Sequence, residues 1–154
     1  TMMQVAGRAG RRDNGGVVFI QVYDLENPVV RYVADANYVG FMEKEMVSRK
    51  NYLYPPFVRL IRLSVMHKDK LIAEKASEVL KTHLRKHFSE RQVLGPEYPP
   101  VGRIKNMYIR NIMIKLPRNR ELASYKQIIL AGADQLQTMT EFKGVRVIAD
   151  ADPV

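Results

Sequence analysis

The stretch RLIRLSVM, Arg59 to Met66, decides the fold. Ile61, Leu63 and Val65 stand at every second position, with an arginine and a serine between them. This period of two is typical of a β-strand that buries one face. Such a strand needs neighbouring strands for its backbone and a further layer over its apolar face, so the residues around it must supply a sheet and its cover.

The residues after this strand supply those elements in turn. Asp69 to Glu90 predicts a helix, Gln92 to Leu94 a short strand, and Arg103 to Leu116 one long strand with a bend at its start. Asn119 is placed to cap a second helix, and Val145 to Ala149 predicts the last strand. The inward-facing stripes of the two helices are Ile72, Ala76, Val79, Leu80, His83 and Leu84, and then Leu122, Tyr125, Ile129 and Leu136.

From residue 56 onward the order of elements is therefore β-α-β-β-α-β. Two helices packed on one face of a four-stranded antiparallel sheet is the usual arrangement for that order. We predict an α+β, ferredoxin-like two-layer sandwich for residues 56–154.

Two further segments precede this domain. Val17 to Tyr23 is apolar and β-branched and predicts a buried strand, so residues 1–25 hold one loop and one strand. A lone strand leaves its backbone groups unpaired, and we interpret these residues as the edge of a larger domain. Residues 26–55 predict a linker of two helices, Pro28 to Ala36 and Tyr38 to Tyr52.

The charge balance favours polyanionic partners. Lys and Arg total 25 against 16 Asp and Glu, which gives a net charge of +9. Nucleic acid, anionic lipid and acidic protein tails are the partner classes that such an excess attracts. The charge by itself does not choose among them.

Several kinds of site and segment have no support in the sequence. No cysteine is present, which excludes disulfides and thiol chemistry within these residues and fits a reducing cytoplasm. No apolar run reaches the roughly 20 residues that a membrane helix needs. His83 and His87 are four residues apart on a predicted helix, a spacing that could pair them on a metal, but only Glu90 stands near as an acidic partner. We predict no metal site.

The first residues carry a compact loop motif. Gln4, Gly7, Arg8, Gly10 and Arg11 spell Q-x-x-G-R-x-G-R before the predicted strand. The pattern resembles the last motif of superfamily 2 helicases. The resemblance implies that the two arginines are catalytic and face the γ-phosphate, and that the other three residues belong to the site for ATP with Mg²⁺. No G-x-x-x-x-G-K-[ST] loop occurs here, so we expect no ATP hydrolysis from this chain by itself.

Three later segments narrow the family. Tyr54 to Phe57, Val93 to Pro96 and Asp150 to Pro153 resemble, in order and spacing, the C-terminal part of the bacterial primosomal replication-restart helicases. The resemblance implies a parent ATP-dependent 3′–5′ DNA helicase that restarts replication forks and assembles the primosome, with zinc bound upstream of these residues. It also implies a C-terminal domain that binds branched and single-stranded DNA and the single-stranded-DNA-binding protein. We expect a monomer.

A basic interval without acidic residues lies between Glu97 and Glu121. On one strand, Tyr108 and Arg110 point to the same side, so a ring for a base and a cation for a phosphate would stand together. The alternative is a solvent-facing basic strand with the tyrosine packed in the core. The candidate DNA-binding residues are Arg103, Lys105, Tyr108, Arg110 and Lys115.

The resemblance also implies a site for the acidic, hydrophobic-ended tail of the single-stranded-DNA-binding protein. Such a tail needs a cation for its carboxylate and an apolar pocket. By analogy the site lies at the start of the last helix, where this sequence offers Arg120 and Lys126. A second hypothesis is a structural interaction domain that contacts helicase lobes or a partner without binding DNA.

Overall fold

The structure is a computed structural model that describes residues 17–118 and 121–153. The chain divides into two compact units, residues 1–48 and 49–154. The second unit holds all the strands of the described residues, and it is the part that positions the candidate site.

The two linker helices are confirmed. Helix α1 spans Pro28–Ala34 and helix α2 spans Tyr38–Asn51. The side chain of Asn27 caps α1 by accepting a hydrogen bond of 3.0 Å from the backbone N–H of Val29. No residue of α1 or α2 is fully buried, so these two helices do not form a core of their own.

The predicted strand at Val17 to Tyr23 is wrong for this structure. These residues form no strand, and their large side chains are exposed, with Phe19 at 92%. A strand exists only where a neighbour pairs with its backbone, and the sheet of residues 49–154 does not include this segment. High β-propensity alone therefore does not produce a strand here.

Residues 58–151 form the α/β sandwich. Every neighbouring strand pair is antiparallel, in the order β2-β4-β1-β5, with the short β3 paired to β4. This is the strand order of a ferredoxin-like sandwich, as predicted. The elements are β1 (Val58–His67), α3 (Lys70–Arg85), β2 (Val93–Glu97), β3 (Arg103–Ile104), β4 (Met107–Pro117), α4 (Leu122–Thr138), a short 3₁₀ helix (Thr140–Phe142) and β5 (Arg146–Ala151).

The long strand predicted over Arg103 to Leu116 is instead a hairpin. Lys105 and Asn106 have φ values of 47° and 63°, so both turn residues are left-handed, as in the two-residue turns that fit the twist of a hairpin. The turn places Arg103 opposite Tyr108. Arg103 therefore lies on β3 and Lys105 lies in the turn, and not on the strand that carries Tyr108 and Arg110.

Helices α3 and α4 cover one face of the sheet. Asp69 caps α3 by accepting hydrogen bonds from Leu71 N at 2.7 Å and Ile72 N at 3.3 Å. The helix ends at Arg85, five residues earlier than predicted, because the chain turns there and brings Phe88 into the core. The residues at its centre, all fully buried, are Leu63, Leu80, Leu84, Ile112, Ile114 and Leu116.

None of the helices described is both long enough and apolar enough to cross a membrane.

Helix α3 allows a direct test of this packing. Leu80 is fully buried, whereas Leu71 on the same helix is 66% exposed. We expect Leu80→Ala to lower the free energy of unfolding by about 2–5 kcal/mol, because it leaves a cavity, and Leu71→Ala to change it by less than about 0.5 kcal/mol. Urea denaturation followed by circular dichroism measures both, and equal losses would contradict the assignment of the core.

Candidate nucleic-acid interface

The positive charge of the chain lies in the second unit. Residues 49–154 contain 20 of the 25 Lys and Arg and 10 of the 16 Asp and Glu, which gives a net charge of +10 there and −1 in residues 1–48. Net charge therefore favours a polyanion at residues 49–154 over residues 1–48.

One end of the sheet carries an exposed basic hairpin. Arg103 and Lys105 are both exposed, at the tip formed by β3, the turn and β4. The guanidinium carbon of Arg103 lies 4.9 Å from the ring centroid of Tyr108, which is its partner across the strands. Arg103 also donates a hydrogen bond to the side chain of Asn106. The hairpin thus presents a cation stacked on a half-buried aromatic ring.

Tyr108 and Arg110 face the same side of β4, as predicted, because they pair with His67 and Val65 of β1 in one antiparallel register. Arg110 is half-buried. Its Nη2 donates a hydrogen bond of 3.2 Å to the carbonyl of Pro96, which lies near the end of β2.

Tyr98 is the site residue that the sequence analysis missed. Its ring centroid lies 3.9 Å from the guanidinium carbon of Arg110 and 5.4 Å from the ammonium of Lys70, and its hydroxyl donates to the carboxylate of Glu74. The ring remains 47% exposed. Its position in a proline-rich loop predicted only a turn, since the contact with Arg110 joins residues from different elements.

Further cations surround this end of the sheet. The antiparallel pairing brings together the end of β1 and the starts of β4 and β5, with Met66 opposite both Ile109 and Arg146. Two acidic residues, Asp69 and Glu97, are exposed nearby in sequence and offset part of the charge. The exposed basic side chains of these segments are Lys68, Lys70, Arg103, Lys105, Lys143 and Arg146.

Lys115 is engaged inside the domain. It lies on the opposite face of β4 and is only 6% exposed. Its Nζ donates a hydrogen bond of 2.7 Å to the carbonyl of Tyr52 and stands 4.0 Å from the ring centroid of Tyr54. Burial removes water from the ammonium and lowers its pKa. The ammonium that the sequence analysis proposed as a DNA contact is therefore engaged by the segment before β1, and little of Lys115 is exposed.

The sheet face away from α3 and α4 offers no stacking surface from its strands. Arg62 pairs with Asp150 at 2.6 Å, and Ser64 Oγ donates to the side chain of Asn111 at 2.9 Å. The side chains that the described strands direct to this face include no aromatic ring. Stacking of bases on an open sheet, as in many sandwich domains that bind RNA, has no counterpart here.

The other end of the sheet holds an open pocket of about 280 Å³, lined by Arg59, Pro117, Arg118 and Leu122. The pocket lies where α4 begins, and Lys126 is exposed on the next turn of that helix. Arg120 and Asn119 lie outside the described residues, as do the loop residues Gln4, Gly7, Arg8, Gly10 and Arg11. Their assignments stay predictions.

The two helix histidines are not joined by a third ligand. Their ring centroids are 5.5 Å apart, and His83 Nε2 lies 3.3 Å from the carbonyl of Ile128 on α4. Among the described residues, no group of three or more His, Cys, Asp or Glu is placed to hold a metal ion. The contact with α4 accounts for His83 as a helix-packing residue.

Comparison with known proteins assigns the family. The family model described as "Primosomal protein N C-terminal domain" matches residues 50–154. Over 99% of its length the chain is 30% identical to the "Replication restart protein PriA" of Bacillus subtilis. The chain belongs to the PriA family. The resemblance stated from the sequence motifs is confirmed.

Other PriA relatives match over a similar span. The proteins of Treponema pallidum and Chlamydia trachomatis, also named Replication restart protein PriA, are each 31% identical over 99% and 98% of this chain. The chain covers 19% of the Bacillus protein, 22% of the Treponema protein and 19% of the Chlamydia protein. It therefore spans about a fifth of the length of these relatives.

The motifs of the PriA resemblance lie at structural contacts. Gly95 has a φ of +94°, and a Cβ built there would stand 2.6 Å from the carbonyl oxygen of Asn111, so only glycine fits this approach of β2 to β4. Asp152 closes the last strand against β1 by donating its N–H to Leu60 O at 2.7 Å and accepting from Leu60 N at 3.2 Å. These motifs report the fold of the PriA domain and not its ligand.

The lowered pKa of Lys115 provides a test of its burial. Because its pKa is lowered in the folded state, the folded protein loses this proton before the unfolded chain does, which titrates near the ordinary value of 10.5. The free energy of unfolding of the unmodified chain, taken relative to that of Lys115→Met, should be constant near neutral pH. It should rise as the pH increases from the lowered pKa to 10.5.

Denaturation of both proteins at a series of pH values measures the difference, in which the titration of other groups cancels. Lys126→Met removes one lysine at an exposed position and is the matched control for net charge. An equal rise relative to Lys126→Met would contradict the burial of Lys115.

Proposed function

We propose that this chain is the C-terminal part of a replication restart protein and acts there as a DNA- and partner-binding module. Membership of the PriA family and the printed names of the relatives support replication restart as the process. We propose that the parent protein is an ATP-dependent 3′–5′ DNA helicase of the primosome, which acts on single-stranded and branched DNA.

The exposed hairpin carries the DNA-binding part of the proposal. Arg103 and Lys105 project at a tight turn, Arg103 is stacked on Tyr108, and further cations surround them at the same end of the sheet. Phosphate contacts by such cations release counterions, which supplies most of the affinity in binding without sequence preference. No catalytic group is needed for this role.

The opening loop belongs to the parent activity. We propose that Arg8 and Arg11 contact the γ-phosphate of ATP and that Gln4, Gly7 and Gly10 shape the loop around the nucleotide, as their pattern implies. The rest of the parent protein would supply the phosphate cradle, the Mg²⁺ site and, upstream, the zinc site.

Charge reversal at the hairpin tests DNA binding. We expect Arg103→Glu with Lys105→Glu to lower the affinity for single-stranded DNA at low salt by about tenfold or more, because two phosphate contacts become repulsive. The dependence of log K on log salt should become shallower by about 1.4, the value for two contacts on a single strand. Fluorescence anisotropy with a labelled oligonucleotide at several salt concentrations measures both quantities.

The double variant Arg118→Glu with Lys126→Glu is the matched control, since it changes the net charge equally at the other end of the sheet. If the two variants lose the same DNA affinity, the loss follows from the change in net charge, and the hairpin is not the binding site. Absence of DNA binding by the unmodified chain at low salt would leave the interaction-domain hypothesis as the better one.

The pocket at the start of α4 supports a second function, capture of an acidic peptide. Arg59 and Arg118 supply two exposed guanidinium groups, and Pro117 and Leu122 supply apolar wall. A guanidinium binds a carboxylate with paired hydrogen bonds, and an apolar side chain beside that carboxylate would enter the pocket. We propose this end of the sandwich as the site for the tail of the single-stranded-DNA-binding protein, with Arg120 and Lys126 adjacent in sequence.

The same pair of variants tests the peptide proposal in reverse. Arg118→Glu with Lys126→Glu should weaken binding of a labelled acidic peptide that ends in an apolar residue by about tenfold, whereas the hairpin variant should change it by less than about threefold. Isothermal titration calorimetry measures both. If only the hairpin variant loses peptide affinity, the peptide binds at the hairpin end of the sheet, and the pocket at the start of α4 is refuted as its site.

A further inference from the structure

Two arginine–tyrosine pairs lie side by side at the hairpin end. In one, Arg103 from β3 lies over Tyr108 from β4; in the other, Arg110 from β4 lies over Tyr98 from the loop after β2. Tyr108 and Arg110 share one face of β4 and are two residues apart, which connects the pairs through a single strand. Each pair offers a planar cation and a ring in contact.

The base face that each ring needs selects among nucleic-acid forms, since a ring stacks only on a base face that is uncovered. Neighbouring bases in one strand of a duplex rise by about 3.4 Å and have both faces covered by other bases. The two rings therefore suit unpaired bases, whose faces are uncovered in a single strand.

The second pair is held in place before any ligand arrives. The hydroxyl of Tyr98 donates to Glu74 on α3, and Arg110 donates to the carbonyl of Pro96 in β2, two residues before Tyr98. The ammonium of Lys70 stands 5.4 Å from the ring centroid of Tyr98 and adds a phosphate partner beside it. A ring already fixed by hydrogen bonds loses little conformational freedom when a base stacks on it.

We infer that Tyr98 and Tyr108, each with its arginine, form two consecutive stacking positions for unpaired bases of single-stranded DNA. This inference rests on the proposed function and deepens it. Tyr98 and Lys70 become binding residues that the sequence did not indicate.

Strands without bases separate stacking from phosphate contacts. The probes are a labelled oligothymidine of about ten nucleotides and a strand of equal length with abasic sites, measured by anisotropy with the full 154-residue chain. Tyr98→Leu should weaken binding of the oligothymidine roughly five- to hundredfold, the range for one lost base stack. It should change binding of the abasic strand by less than about twofold, because phosphate contacts remain.

Tyr98→Phe is the matched control for the ring. It keeps the stacking surface and removes the hydroxyl bonded to Glu74, so the affinity for oligothymidine should remain within about threefold of the unmodified chain. Urea denaturation of both variants shows whether the fold is retained. If Tyr98→Leu is destabilised, the comparison of the two probes on the same folded sample still decides, since a folding defect lowers both affinities equally.

The outcomes are separable from those of the proposed function. If Arg103→Glu with Lys105→Glu weakens binding but Tyr98→Leu binds oligothymidine normally, the stacking positions are refuted and the DNA-binding hairpin stands. If Tyr98→Leu lowers the affinity for both probes equally, the ring serves only the fold and the inference is wrong. If the unmodified chain binds neither probe at low salt, the proposed function fails first.

Discussion

The pairing of β1 with β4 is the interaction on which the rest of the domain depends. Ten consecutive residue pairs join the two strands, from Val58 with Pro117 to His67 with Tyr108. A shift of one residue would turn Leu63 and Ile112 out of the core, so burial under α3 and α4 fixes this register. The two ends of the pairing then locate the two candidate sites, the hairpin at one end and the start of α4 at the other.

That register also divides the basic residues of the hairpin of β3 and β4 among different environments. Arg110 faces the side of the helices and packs against Tyr98, whereas Lys115 faces the other side and is buried beneath Tyr52 and Tyr54. Only the residues at the tip, Arg103 and Lys105, remain exposed. The hairpin of β3 and β4 thus combines structural cations with cations that a polyanion can reach.

Periodicity predicted most of the fold because the core of this domain is regular. The alternation around Leu63 and the stripe through Leu80 and Leu84 each correspond to a buried face. The hairpin at Lys105 and Asn106 escaped prediction because its turn contains no glycine, and its left-handed residues are held by cross-strand pairing. The strand predicted for residues 17–23 is wrong because propensity is local, while a strand requires a partner.

The sequence by itself determined the class of the domain, its positive charge and its family, since each of these depends on residue type and order. Only the tertiary structure decided which basic residues are free and which ring stands beside them. Tyr98 meets Arg110, and Lys115 meets Tyr52, across separations of 12 and 63 residues. Contacts of that kind are set by strand register and loop closure, which no short sequence window contains.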